Sequence, residues 1–166
     1  MVNPHQQDCG YPYKELCGAG VAWNVIRVLY ENYDMDKREA EDLLDFVAMA
    51  TVCDVMSLTG ENRILVKEGL KRIRHTKNIG LQALMQACNV QPENISAYHF
   101  GYVLGPCVNA TGRLDTARHA LRLFETGQET EAEEIARDLV DLNQERKELT
   151  PVSYTHLRAH ETVLDL

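Results

Sequence analysis

Asp54 is the only charged residue between Phe46 and Leu58, in the run Phe46-Val-Ala-Met-Ala-Thr-Val-Cys-Asp-Val-Met-Ser-Leu58. An isolated carboxylate is costly to bury, so it needs a partner. Two partners fit the spacing: a metal ion, or backbone N–H groups that the side chain caps where the apolar run ends. A second group lies in Gly105-Pro-Cys-Val-Asn-Ala-Thr-Gly-Arg-Leu114. Asn109 and Arg113 can both donate to oxygens, and Gly112 lets the backbone approach a ligand closely. That combination suits a phosphate, since arginine is permanently charged and can engage one bidentately. The same residues also suit a plain helix-to-helix connection, with Asn109 as a cap and Arg113 paired with Asp115. A third group is the basic run from Glu61 to Lys77, with Arg63, Lys67, Lys71, Arg72, Arg74 and Lys77. It is either a solvated helix face or a local surface for a polyanion. The net charge of −8 argues against nucleic-acid binding through overall charge, so any such surface is local.

The periodicity predicts an almost wholly helical frame for these groups, with no segment alternating like a half-buried strand. Asn3 to Tyr13 reads as a loop ending near Pro12. The helix after it carries Leu16, Val21, Ala22, Val25, Ile26, Leu29 and Tyr30 on one face, with Gly18 and Gly20 allowing close approach of another backbone. Asn32 to Asp36 reads as a turn, and a second helix runs from Lys37 to about Asp54. Thr59-Gly60-Glu61 is the N-cap region of the basic helix, whose inner side carries Ile64, Leu65, Leu70 and Ile73. Gly80 to Asn89 is a short helix, and Ile95 to Leu104 is another, which Gly105-Pro106 should end. Asp115 caps a helix to Thr126. After Gly127 a long helix spaces Ala132, Ile135, Ala136, Leu139, Val140 and Leu142 as one apolar face, and Pro151 should stop it.

At 166 residues and 45% apolar content the chain suits one ordinary core. No apolar run approaches a membrane span and the N-terminus lacks the order of a signal peptide, so a cytoplasmic protein with no membrane partner is expected. The five cysteines include no C-x-x-C pair and mostly adjoin apolar residues, which predicts reduced, partly buried thiols. Residues 151–166 resemble the translation of a transposase-type sequencing adapter, a non-native tail. His156, His160 and Glu161 have metal-ligand spacing there, but such a pattern in an unsupported tail is expected to be chance.

Five blocks follow one another in a characteristic order: Asn3-Pro4; Asp8-Cys-Gly-Tyr-Pro-Tyr-Lys-Glu-Leu-Cys-Gly-Ala-Gly-Val-Ala-Trp23; Ala50-Thr-Val-Cys-Asp-Val-Met56; Gly60-Glu-Asn-Arg-Ile-Leu-Val-Lys-Glu-Gly-Leu70; and Gly105 to Leu114. Together, over residues 1–150, they resemble the RecJ-type single-stranded-DNA exonucleases of the DHH phosphoesterase family. The resemblance implies metal-dependent hydrolysis of single-stranded DNA from the 5′ end with a pair of Mn2+ or Mg2+ ions. It makes Asp54 a metal ligand, places Arg113, Asn109 and Gly112 near the scissile phosphate, and lets Arg63, Lys67 and Lys71 track the strand. Base stacking would need aromatic side chains that the sequence does not place. The implied fold is the helical C-terminal part of an α/β catalytic domain over residues 1–126, then a connector helix, 127–150, toward a further domain. Single-strand-binding protein or a helicase are the implied partners.

The departures matter as well. The family's Asp-x-Asp and Asp-His-His metal motifs belong upstream of Asn3 and are not in this sequence, and Cys107 stands where some members carry arginine. The chain is therefore expected to be an internal part of such an enzyme, inactive alone, with apolar surface exposed where a parallel sheet would pack. Two alternatives remain. One is another DHH phosphoesterase, acting on oligonucleotides or cyclic dinucleotides; the other is a non-catalytic helical interaction domain.

Overall fold

The computed structural model describes residues 2–110 and 114–161, with side chains over 2–110 and 117–148, and among them there is no strand. Among the described residues, nine α-helices follow the loop of residues 2–17: α1 Gly18–Asn32, α2 Lys37–Glu41, α3 Leu44–Cys53, α4 Gly60–Arg72, α5 Ile79–Ala87, α6 Ala97–His99, α7 Gly105–Asn109, α8 Leu114–Glu125 and α9 Glu129–Glu161. The predicted turn at Asn32 to Asp36 is present, with Asp36 capping α2 by accepting from Arg38 N–H at 2.9 Å.

The main core joins α3, α4, α5, α7, α8 and α9 around the fully buried Ile73, Leu81, Leu84, Phe100, Leu104, Leu123 and Leu139. The first half of α9 packs Ala132, Ile135, Ala136 and Leu139 into it, as the apolar spacing predicts. A smaller cluster of Leu16, Trp23, Leu44, Val47 and Leu65 fastens α1 to α3 and α4. α3 and α4 pack most closely, across Gly69. A Cβ there would strike the Leu44 carbonyl oxygen and the Ala48 Cβ, so only glycine lets the helices approach this far.

Several expected boundaries shift. The single helix from Lys37 to Asp54 is two: at the break the Ala40 carbonyl accepts the Leu43 N–H at 3.4 Å, three residues on, and also the Trp23 indole N–H at 2.7 Å. Gly105-Pro106 does not end its helix. The turn Phe100–Leu104 widens to π geometry, with Gly105 N–H donating to Phe100 O, and Pro106 then falls in the first turn of α7, where no N–H is needed. Pro151 does not stop α9, which continues to Glu161. Proline's fixed φ is itself helical, so a helix can carry it at a cost of about 3 kcal/mol. α1 begins at Gly18 rather than near Pro12, after an extended Cys17. Nor do Gly18 and Gly20 admit another backbone: a Cβ on Gly18 would meet nothing within 4 Å, and one on Gly20 only Leu16 and Cys17 side chains. Asp115 lies inside the first turn of α8 rather than before it.

Candidate functional site

Asp54 is exposed, not buried, at the C-cap of α3. Its backbone N–H bonds Ala50 O at 2.9 Å, and among the described residues nothing donates to its carboxylate, so the side chain caps nothing. A carboxylate at this end of a helix faces the partial negative charge of free carbonyls, which a cation would offset. The next residue, Val55, has φ 56° and is 88% exposed. A β-branched residue in the left-handed region is strained, and such strain concentrates at functional turns. The Cys53 thiol is pushed up to about 11, by burial first and by the Asp54 charge second.

Asn62 fixes the loop that follows, and sequence reasoning missed it. Fully buried in α4, its amide donates to Glu15 O at 2.6 Å and to Ser57 O at 3.0 Å, tying the N-terminal segment to the loop after Asp54. Its sequence signal was an amide three and four positions before Leu65 and Val66, at helical spacing with the apolar side of α4. Tyr13 adds to the clamp by donating its hydroxyl to Thr59 O at 2.8 Å. Its ring also lies where a Cβ on Gly60, which has φ 47°, would fall.

The run from Ala97 to Asn109 forms a near-continuous helical rod beside the end of α3. Ser96 starts it with a reciprocal cap, its N–H donating to His99 Nδ1 at 3.1 Å. The Cys53 thiol donates to Phe100 O at 3.4 Å and docks the end of α3 on the π turn. Tyr98 and Tyr102 stand on the exposed side of the rod, 63% and 71% exposed, with rings stacked 5.1 Å apart. These are the aromatics the sequence alone did not place. Asn109, also exposed, is the last residue of α7. Gly112 and Arg113 lie outside the described residues.

On α4, Arg63, Lys67 and Lys71 are exposed at four-residue spacing and form one stripe. Lys71 is paired with Glu68 at 2.7 Å, and of the rest of the basic run Arg72 bonds Glu41 and Lys77 lies 3.7 Å from Asp42. Arg63 and Lys67 have no carboxylate partner among the described residues, so the free positive charge is narrower than the sequence suggested. α3 touches both α4 and the rod, which puts Asp54 on an element shared by the stripe and the tyrosines. No hydrogen bond links Asp54 to Asn109 among the described residues. Nor, among those residues, do three or more His, Cys, Asp or Glu side chains gather to hold an ion. One carboxylate does not by itself fit a two-ion centre.

The helical arrangement is one found in exonucleases that have been crystallised with divalent ions. Those exonucleases are RecJ, which this chain resembles in both fold and sequence. It is 38% identical over 158 residues to the single-stranded-DNA-specific exonuclease RecJ of Haemophilus influenzae, covering 90% of this chain and 27% of that protein. The Bacillus subtilis RecJ is 34% identical over 149 residues, covering 90% of this chain and 18% of the relative. RecJ from Thermus thermophilus in complex with Mg2+ superposes with a TM-score of 0.79 at 33% identity, covering 89% of this chain and 23% of that one. Manganese-bound exonuclease RecJ gives 0.80 at 34% identity, covering 89% and 37%. The chain thus spans about a quarter, or less, of the length of these curated relatives. No family model matches it.

Proposed function

We propose that this chain belongs to a single-stranded-DNA-specific 5′ to 3′ exonuclease, and that residues 1–126 are the helical C-terminal part of its catalytic domain. Residues 127–150 then form the connector to a further domain and 151–166 a non-native tail. The observation that carries the reading is the similarity to RecJ over 90% of the chain in sequence and 89% in fold. It favours an exonuclease over a cyclic-dinucleotide phosphoesterase or a non-catalytic helical module.

In this reading Asp54 contributes one ligand to the divalent centre, which when bound would activate water and offset charge on the phosphoryl oxygens. The other ligands come from outside this segment. Asn109 and Arg113 donate to the phosphate being cleaved, arginine meeting the negative charge that grows in the transition state. Gly112, with no side chain, would let the backbone approach the phosphate closely. Tyr98 and Tyr102 present an outer ring face on which a base can stack, while Arg63 and Lys67, with Lys71 partly neutralised, attract the backbone. The strand itself would be supplied in the cytoplasm by single-strand-binding protein or a helicase.

The test uses the longer protein that contains this segment and a 5′-labelled single-stranded oligonucleotide. Asp54→Asn and Arg113→Gln should each lower kcat/KM by roughly 100-fold or more, and Tyr98→Ser should weaken strand binding about tenfold at unchanged fold. Unchanged rates for the first two variants would remove the catalytic assignment. Vigorous degradation by the isolated chain with Mn2+ would show instead that the centre is complete within it.

A further inference from the structure

Cys88, the C-cap of α5, and Cys107, in α7, are separated by 19 positions in sequence, yet their sulfurs lie 3.8 Å apart. That is van der Waals contact, and a disulfide would need them to close by roughly 2 Å. Cys107 is buried, whereas Cys88 is only half-buried and is followed by Asn89 in the left-handed region, a helix end with room to adjust. The pair packs against the main hydrophobic core, and one buried amide side chain reaches it. Asn143 of α9, itself 5% exposed, donates its amide N–H toward Cys107 Sγ at 3.5 Å, and its Oδ1 is buried with no partner among the described residues. A buried, orphaned acceptor beside a sulfur has one obvious use: it can receive an O–H from a peroxide or from a sulfenic acid formed there.

The protonation of the pair agrees with this geometry. The Cys107 thiol is lowered, first by the hydrogen bond from Cys88 and, against the opposing effect of burial, by the Lys147 charge, the Asn143 amide and the Arg146 charge. Cys88 is pushed up by the same hydrogen bond and by burial, so it remains the thiol. The direction of these two shifts makes Cys107 the sulfur assigned to attack and Cys88 the one assigned to resolve.

We propose that Cys88 and Cys107 are a peroxide-reactive dithiol that closes reversibly to a disulfide, and that closure displaces the end of α7 that carries Asn109. In the first step the Cys107 thiolate attacks an oxygen of hydrogen peroxide; the O–O bond breaks, hydroxide leaves, and Cys107 becomes a sulfenic acid. In the second the Cys88 sulfur attacks Cys107 sulfur, the S–O bond breaks, and hydroxide takes up the Cys88 proton as water. Two thiols and one peroxide give one disulfide and two waters, the pair supplying two electrons, and a dithiol reductant restores the start. Closure removes the bond from the Cys107 thiol to Val103 O, at 3.3 Å, and pulls on α7 two residues before Asn109. Only the consequence for phosphate binding rests on the nuclease reading; the chemistry of the pair does not.

The purified chain is treated with hydrogen peroxide, remaining thiols are alkylated, and peptides are mapped by mass spectrometry without reduction. A Cys88–Cys107 cross-link should form before any pairing of Cys9, Cys17 or Cys53 and disappear with dithiothreitol. Its rate should rise with pH as the Cys107 thiolate forms. Amide exchange over residues 103–110 should differ between the oxidised and reduced chains. Cys88→Ser, which keeps the volume, should leave Cys107 trapped as sulfenic or sulfinic acid. Oxidation that starts at the other cysteines, or Cys107 recovered unmodified, would overturn the proposal. A cross-link that forms while nuclease rates of the longer protein stay unchanged would retain the pair and reject its coupling to Asn109.

Discussion

Asp45 shows at the scale of one residue how burial sets a charge. It is 3% exposed in the first turn of α3, accepts from Thr76 Oγ at 2.7 Å and from Phe46 N–H at 2.8 Å, and has no cation paired with it among the described residues. Burial raises its pKa above the ordinary carboxylate value, and the Asp42 charge adds to the rise. A raised value means that the folded state holds the proton more tightly than the unfolded one. Its stabilisation is fully present below the unfolded pKa and is lost as pH rises through the folded one. Asp45→Asn keeps one acceptor oxygen for the Phe46 N–H, turns an amide N–H toward the Thr76 hydroxyl in place of the second oxygen, and removes the buried charge, so it should stabilise the chain by about 1 kcal/mol at neutral pH and flatten the pH dependence. Thermal unfolding of both proteins from pH 4 to pH 8 checks the sign; destabilisation at neutral pH would mean that Asp45 works as a charge. Asp54 is the opposite case. Its type and neighbours were legible in the sequence, but its exposure was not, because an apolar run reads as buried whether or not the helix ends before its polar member.

The α3–α4 crossing sets the geometry at the scale of elements. α4 carries the basic stripe on one side and Asn62 on the other, and α3 ends at Asp54, so their separation sets the spacing of the site. Gly69→Ala would place a methyl group against the Leu44 backbone, which cannot swing aside as a long side chain can. It should cost about 1–3 kcal/mol and shift α4 outward. Chemical denaturation measures the first effect, and loss of the Asn62 bonds to Glu15 and Ser57, read by amide exchange at the loop, measures the second. The helices themselves follow from periodicity that any neighbourhood would preserve. Their breaks do not: Trp23 reaching the Ala40 carbonyl and the π turn absorbing Pro106 both depend on tertiary contacts or on a register that propensity does not encode.

Across the whole molecule the least settled surface is the outer face of α1. Val25, Val28 and Leu29 are 38%, 54% and 47% exposed and, with Val2, Pro4 and Leu16, line a groove of about 540 Å³. The apolar face predicted for this helix includes Val25 and Leu29, and among the described residues nothing covers them. The isolated chain should therefore self-associate, and Val28→Lys with Leu29→Lys should reduce that association without lowering the unfolding temperature. Light scattering beside a thermal melt decides it; a drop in melting temperature would place these residues in the core. The sequence by itself determined the helical class, the order of the blocks and the resemblance they carry, since periodicity and motif order are properties of the chain taken locally. Tertiary structure alone decided that Asp54 is exposed, that Lys71, Arg72 and Lys77 are partly neutralised by acids, that Tyr98 and Tyr102 stack outward, and that Cys88 meets Cys107. Each of those depends on distances between side chains set by packing, and spacing along the chain carries little information about such distances.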